Sequence, residues 1–123
     1  SQSSNCKEAA WGILSGFRLS KQMALSTNLE HRVEFDMDAR RYRLARGNMP
    51  SGSTIWTGAG SWSSISDEVG WASGDACDGT ADLNIVFKPN GSAAFGMICV
   101  KDGASVVKYR VSVNATSGRA VIN

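Results

Sequence analysis

The apolar residues of this chain change their spacing once, at residue 31, and do not change back. Before that point Ala10, Ile13, Leu14, Phe17, Ala24 and Leu25 recur at helical intervals and form one apolar stripe. From His31 the interval drops to two: Val33 and Phe35 alternate with Arg32 and Glu34, then Tyr42 and Leu44 with Arg41 and Arg43. One helix over about residues 5–30, followed only by strands over 31–123, predicts an α+β fold with the N-terminal amphipathic helix laid on antiparallel β-sheet. The 123 residues suit a single globular domain, and 42% hydrophobic with 20% charged residues argues against disorder.

Asn5 is placed to cap the helix, with Glu8 at the third helical position. Ile13, Leu14, Phe17 and Leu25 are the residues expected against the sheet. Leu19 and Met23 lie on the opposite side and give the helix a second, weaker apolar face, suited to a neighbouring molecule or left as ordinary exposed side chains. Met37-Asp38-Ala39 connects the first two strands as a hairpin. Residues 47–80 are glycine-rich and read as long loop, with one brief strand over Ser53–Thr57. After Thr80 the sequence predicts a four-strand meander: Leu83–Phe87, Phe95–Lys101, Val107–Val113 and Arg119–Ile122. Its turns fall at Asn90-Gly91, Asp102-Gly103 and Ser117-Gly118.

The cysteines Cys6, Cys77 and Cys99 form no metal-ligand spacing and no C-x-x-C pair. Cys77 sits in a Gly/Asp-rich loop and Cys99 in an apolar strand. A bond between them would staple loop to sheet and contribute about 3 kcal/mol by the loop-entropy estimate; three free cytosolic thiols are the alternative. Nothing approaches the roughly 20 apolar residues of a membrane span. Ser1 reads as a mature end or a boundary, with further chain expected upstream.

Catalytic signatures are missing from the pattern. The one histidine, His31, stands between Glu30 and Arg32 with no marked nucleophile, and reads as a polar residue near the helix C-terminus. There is no phosphate loop, no nucleophile elbow, no zinc-protease motif and no dinucleotide fingerprint, and no cofactor is implied. Asp75, Asp78 and Asp82 are a weak calcium candidate without the spacing of an EF-hand, against the reading of a solvated acidic loop. Trp56, Trp62 and Trp71, spaced by Gly and Ser, would either stack on a sugar or partner or anchor their loop to the sheet. Asn90-Gly-Ser and Asn114-Ala-Thr are read as turn chemistry rather than glycosylation sites.

Three segments resemble one family. Phe17–Phe35 (FRLSKQMALSTNLEHRVEF) is similar to the helix–strand junction of the GspH/FimT pseudopilins and minor pilins. Ile85–Gly91 (IVFKPNG) resembles their F-x-P-x-G hairpin, and Tyr109–Ile122 (YRVSVNATSGRAVI) their closing strand pair with its Ser/Thr-Gly-Arg turn. The resemblance implies a pilin-like fold and a non-enzymatic structural subunit of a type IV pilus or type II secretion pseudopilus, acting in assembly initiation or at the tip. Its implied partners are other pilin or pseudopilin subunits, with Leu19 and Met23 as packing residues. It further implies an apolar helical segment and a prepilin leader upstream, so that the domain sits in the bacterial cell envelope, anchored in the inner membrane and facing the periplasm, or in an extracellular filament. Oxidised cysteines fit those surroundings. Some pilins of the FimT branch take part in DNA uptake, which makes Arg40, Arg41, Arg43, Arg46 and Arg119 candidate nucleic-acid contacts; the favoured alternative is that the hairpin arginines pair with Glu34, Asp36 and Asp38 or face solvent. In that branch a second basic residue follows the Gly-Arg pair, whereas here Gly118-Arg119 is followed by Ala120-Val121. The reading from another class is a secreted module that binds sugar or DNA through the Trp-rich loop or the Arg-rich hairpin.

Overall fold

The computed structural model describes residues 2–123. Helix α1 (Gln2–Thr27) is followed by nine strands in two antiparallel sheets. The first sheet holds β1 (His31–Asp36), β2 (Arg41–Gly47), β3 (Trp56–Gly58) and β6 (Leu83–Phe87) in the order β3-β2-β1-β6, with β4 (Ser63–Ser64) also on β2. The second holds β5 (Gly70–Ser73), β7 (Gly96–Lys101), β8 (Val107–Val113) and β9 (Ala120–Ile122) in the order β5-β7-β8-β9. The α+β class and the helix-on-sheet arrangement are those the change of period predicts.

The helix begins upstream of Asn5, so that residue caps nothing; its side-chain amide instead donates to Glu68 Oε2 at 2.8 Å. The helix also stops earlier than the periodicity suggests. Asn28 adopts φ 58°, and its N–H returns to Ala24 O at 3.1 Å. Asparagine tolerates this left-handed closure better than other non-glycine residues. Cys6, Ala10, Ile13, Leu14, Phe17, Ser20 and Ala24 make the buried face. Leu25 does not belong to it: it shares a helical line with Leu14, yet is 52% exposed because it opens onto a cleft beside Gly118, Arg119 and Ala120.

Aromatic rings tie the two sheets to the helix. Phe17 meets Phe35 of β1 at 5.8 Å and Phe87 of β6 at 6.0 Å between centroids. Trp71 of β5 lies 5.7 Å from Phe35 and 6.3 Å from Tyr42, and donates its indole N–H to Met37 O at 3.1 Å. Burying one such ring stabilises by roughly 1.5–3 kcal/mol. The helix approaches the first sheet closely at Gly12, where a Cβ would stand 2.6 Å from Tyr42 Oη.

The predicted four-strand meander is not what forms. The Asn90-Gly91 turn exists, with Gly91 at φ 92° and bonds from Lys88 N to Ser92 O and from Ala94 N to Val86 O. Pairing lasts only that far. Gly96 then passes over the Ile85 side chain, where a Cβ would meet Cδ1 at 2.3 Å, and β7 joins the other sheet between β5 and β8. Hence β6 pairs with β1 and not with β7. The change of sheet at a tight corner closes the two layers around one core.

The stretch read as long loop carries three short strands. The brief strand expected over Ser53–Thr57 lies at Trp56–Gly58, while β4 and β5 were not anticipated. Glu30, buried at the end of the helix connection, fixes the start of this stretch by accepting Ser53 N–H at 2.8 Å.

Candidate functional site

The chemistry-bearing residues divide among four places. His31 lies inside β1, completely buried, with Nδ1 3.0 Å from Leu29 O and Nε2 without a partner. It stands four residues past the end of α1, as a buried residue at the start of β1 with no contact with solvent.

The arginine-rich hairpin forms a connected layer on the outer face of the first sheet. Because side chains alternate along a strand, the inward set Val33, Phe35 and Tyr42 leaves Arg32, Glu34, Arg41 and Arg43 outward. Glu34 pairs with Arg32 and Arg43, each at 2.8 Å, and Asp36 with Arg41 at 3.1 Å. The Arg32 guanidinium stacks 4.1 Å from the Trp56 ring centroid, and those of Arg41 and Arg43 lie 4.2 and 4.5 Å from Trp62. Burial pushes the Glu34 carboxyl up, but hydrogen bonds and charge from Arg43 and Arg32 outweigh it and hold the group below its ordinary value. Arg40 turns away and donates to the carbonyls of Ser66 and Val69. Arg46 and Arg119 are exposed and stand outside this layer. Two of the three loop tryptophans thus anchor their segment by covering arginines, and the third, Trp71, by entering the aromatic core.

The acidic loop is not assembled as a cage. Asp82 Oδ1 accepts the Met37 N–H at 2.8 Å, Asp75 and Asp78 are exposed, and no group of three His, Cys, Asp or Glu side chains converges among the described residues. Beside it Cys77 and Cys99 form a disulfide across 5.6 Å between Cα atoms, which joins the loop to β7. Cys6 is a buried free thiol whose S–H faces Lys101 O at 3.5 Å. Burial and then the Asp102 charge push it up, with Lys108 opposing.

On the side of α1 away from the core Leu19 is 48% exposed and Met23 half-buried, whereas Leu25, on the Leu14 line, is 52% exposed at the cleft beside Gly118. The outward side also carries Trp11, 44% exposed, which sequence reasoning passed over. Its signal was available: Trp11 falls on the polar side of the helix, away from the Ile13–Phe17 stripe.

The two turns that carry the family resemblance meet each other at one corner. Residues 88–93 and 114–118 are joined by a bond from Ala93 N to Ala115 O at 2.8 Å, and Gly118 packs on Gly91. Lys21 of the helix completes the corner by donating to Ser117 O at 2.9 Å. Both sequon asparagines act within their turns: Asn90 Oδ1 accepts from Ser92 N and Oγ, and Asn114 Oδ1 from the N–H groups of Thr116 and Ser117.

No family model matches this chain, and no curated protein matches it in sequence. Solved structures do match. One structure of the minor pseudopilin EpsH, from the type II secretion system of Vibrio cholerae, aligns over 92% of both chains with a TM-score of 0.70 at 12% identity. A second crystal structure of EpsH aligns over 97% of this chain and 93% of its own, with a TM-score of 0.74 at 13% identity. The likeness extends over more than nine-tenths of the chain, and the fold of this chain is that seen in the minor pseudopilin EpsH.

Proposed function

We propose that this chain is a non-enzymatic structural subunit, a minor pilin or pseudopilin, which works by packing beside other subunits in a type II secretion pseudopilus or a type IV pilus. The observation that carries the reading is the likeness of fold to EpsH over more than nine-tenths of the chain. The apolar side chains on the outer side of α1 support it, because Trp11 and Leu19 stand exposed and Met23 half-buried outside the domain's own core. Its work would be to initiate the assembly or cap its tip. The domain would face the periplasm or lie in the filament, held by an apolar helical segment preceding α1, which is not itself long and apolar enough to cross a membrane.

The test is genetic and biochemical together. Loss of this subunit should abolish secretion through the pseudopilus or assembly of pili, with restoration by the wild-type gene. Unchanged secretion and piliation, in cells where the chain also co-purifies with no pilin-like subunit, would overturn the proposal.

A further inference from the structure

Two clefts flank Arg119. One, of about 260 Å³, lies between the last turns of α1 and the start of β9, lined by Arg18, Lys21 and Leu25 from the helix. The other, of about 510 Å³, lies across β8 and β9 and carries Phe95 and Val121. No carboxylate lines either cleft. Arg18 and Arg119 have no ion-pair partner among the described residues, while Lys21 is held at the corner by Ser117 O. Leu25 and Phe95, one in each cleft, are 52% and 59% exposed.

We infer that this corner docks a segment of a neighbouring protein subunit that presents acidic side chains on either side of an apolar one. The inference rests on the subunit reading above and names the partner chemistry for one of its surfaces. Arg18, Lys21 and Arg119 around a small cleft without a carboxylate would be stabilised by anionic groups. The exposed Leu25 and Phe95 beside them would gain from a partner that also removes hydrocarbon from water. A protein segment supplies both at once, and an arginine set between exposed apolar side chains is the composition expected at the centre of a protein interface. Nucleic acid fits less well, because phosphate contacts call for cations spread along a track rather than gathered at one corner with apolar flanks.

The test is a titration of the isotope-labelled chain, followed by amide shifts. The probes are a short synthetic peptide of Asp and Glu around one Leu, its Asn/Gln counterpart, and a short single-stranded DNA. The acidic peptide should give saturable shifts at Gln22, Leu25, Phe95 and residues 117–121, and the uncharged counterpart none. Arg119→Glu should bind roughly tenfold more weakly, with Leu25→Ser as a second variant should the first disturb the β9 turn. Absence of saturable shifts, equal binding by Arg119→Glu and Leu25→Ser, or tighter binding of the DNA at the same amides would overturn the inference. Photo-crosslinking from Gln22 in producing cells separates the two levels. A chain that enters assemblies without binding the peptide leaves the subunit reading standing and removes this surface; a chain that joins no assembly removes the reading beneath it.

Discussion

Gly118 sits so close to Gly91 that a Cβ built on it would stand 2.6 Å from the Gly91 carbonyl oxygen. Each glycine also has positive φ, 65° at Gly118 and 92° at Gly91, so the two turns use glycine both for backbone shape and, at Gly118, for contact. Two of the three segments that resemble the GspH/FimT family therefore meet in one joint. That joint holds the point at which the chain leaves the first sheet for the second.

Alanine at the two positions should have unequal effects. At Gly91 the added Cβ meets nothing, so Gly91→Ala should lose only the about 1–3 kcal/mol of a non-glycine residue at positive φ. At Gly118 the collision is with backbone, which cannot swing aside, and Gly118→Ala should lose clearly more. Urea denaturation of both variants checks the order; equal losses would mean that the two turns do not bear on each other.

The Glu34 cluster sets an acid dependence. Its carboxyl is held below the ordinary value in the folded chain, so its stabilisation is fully present above the unfolded value of about 4.3 and is lost as pH falls through the folded one. Wild type should therefore exceed Glu34→Gln in urea midpoint at neutral pH, and the gap should close as the buffer is taken into the acid range. A gap that persists or widens in acid would contradict this account.

Thiol counting tests the disulfide. With Cys77 and Cys99 bonded and Cys6 buried, the native protein should react with no thiol reagent, and the denatured, unreduced protein should show a single free thiol. Replacing both bonded cysteines by alanine should cost about 3 kcal/mol. Three thiols on denaturation would refute the pairing.

Opposite faces of α1 should respond differently to truncation. Phe17→Ala empties the centre of the aromatic core and should cost about 3–5 kcal/mol. Leu19→Ser, two residues on and exposed, should stay within about 0.5 kcal/mol of wild type in thermal unfolding.

The long periodic elements were legible in the sequence because side-chain spacing reports which face of an element is buried. That is why α1, the β1–β2 hairpin and the β7–β8–β9 run could be read directly. Spacing reports angle but not extent, which is why Leu25 looked equivalent to Leu14 although it lies over a cleft. It also fails below a few residues, so β4 and β5 passed for loop. Asn90-Gly91 marks a turn in the sequence, yet turn chemistry specifies local φ and not the sheet that the departing strand joins. Gly96 passes over Ile85 where the chain changes sheet, a tertiary contact between residues eleven apart that local spacing does not report. Of the site residues, the Arg layer was visible in the alternation of the hairpin, but its tryptophan covers were not, since Trp56 and Trp62 reach it from a loop without periodicity. Trp11 was overlooked as a lone aromatic on a polar face.

The central claim is that this domain is a packing subunit, and its association with the soluble domains of the other pilin-like proteins made by the same cell tests it most directly. Sedimentation of equimolar mixtures should show a defined complex for the wild type, and one roughly tenfold weaker for Trp11→Ser/Leu19→Ser with an unchanged melting temperature. A wild-type domain that sediments as a monomer beside every one of those partners would contradict the account.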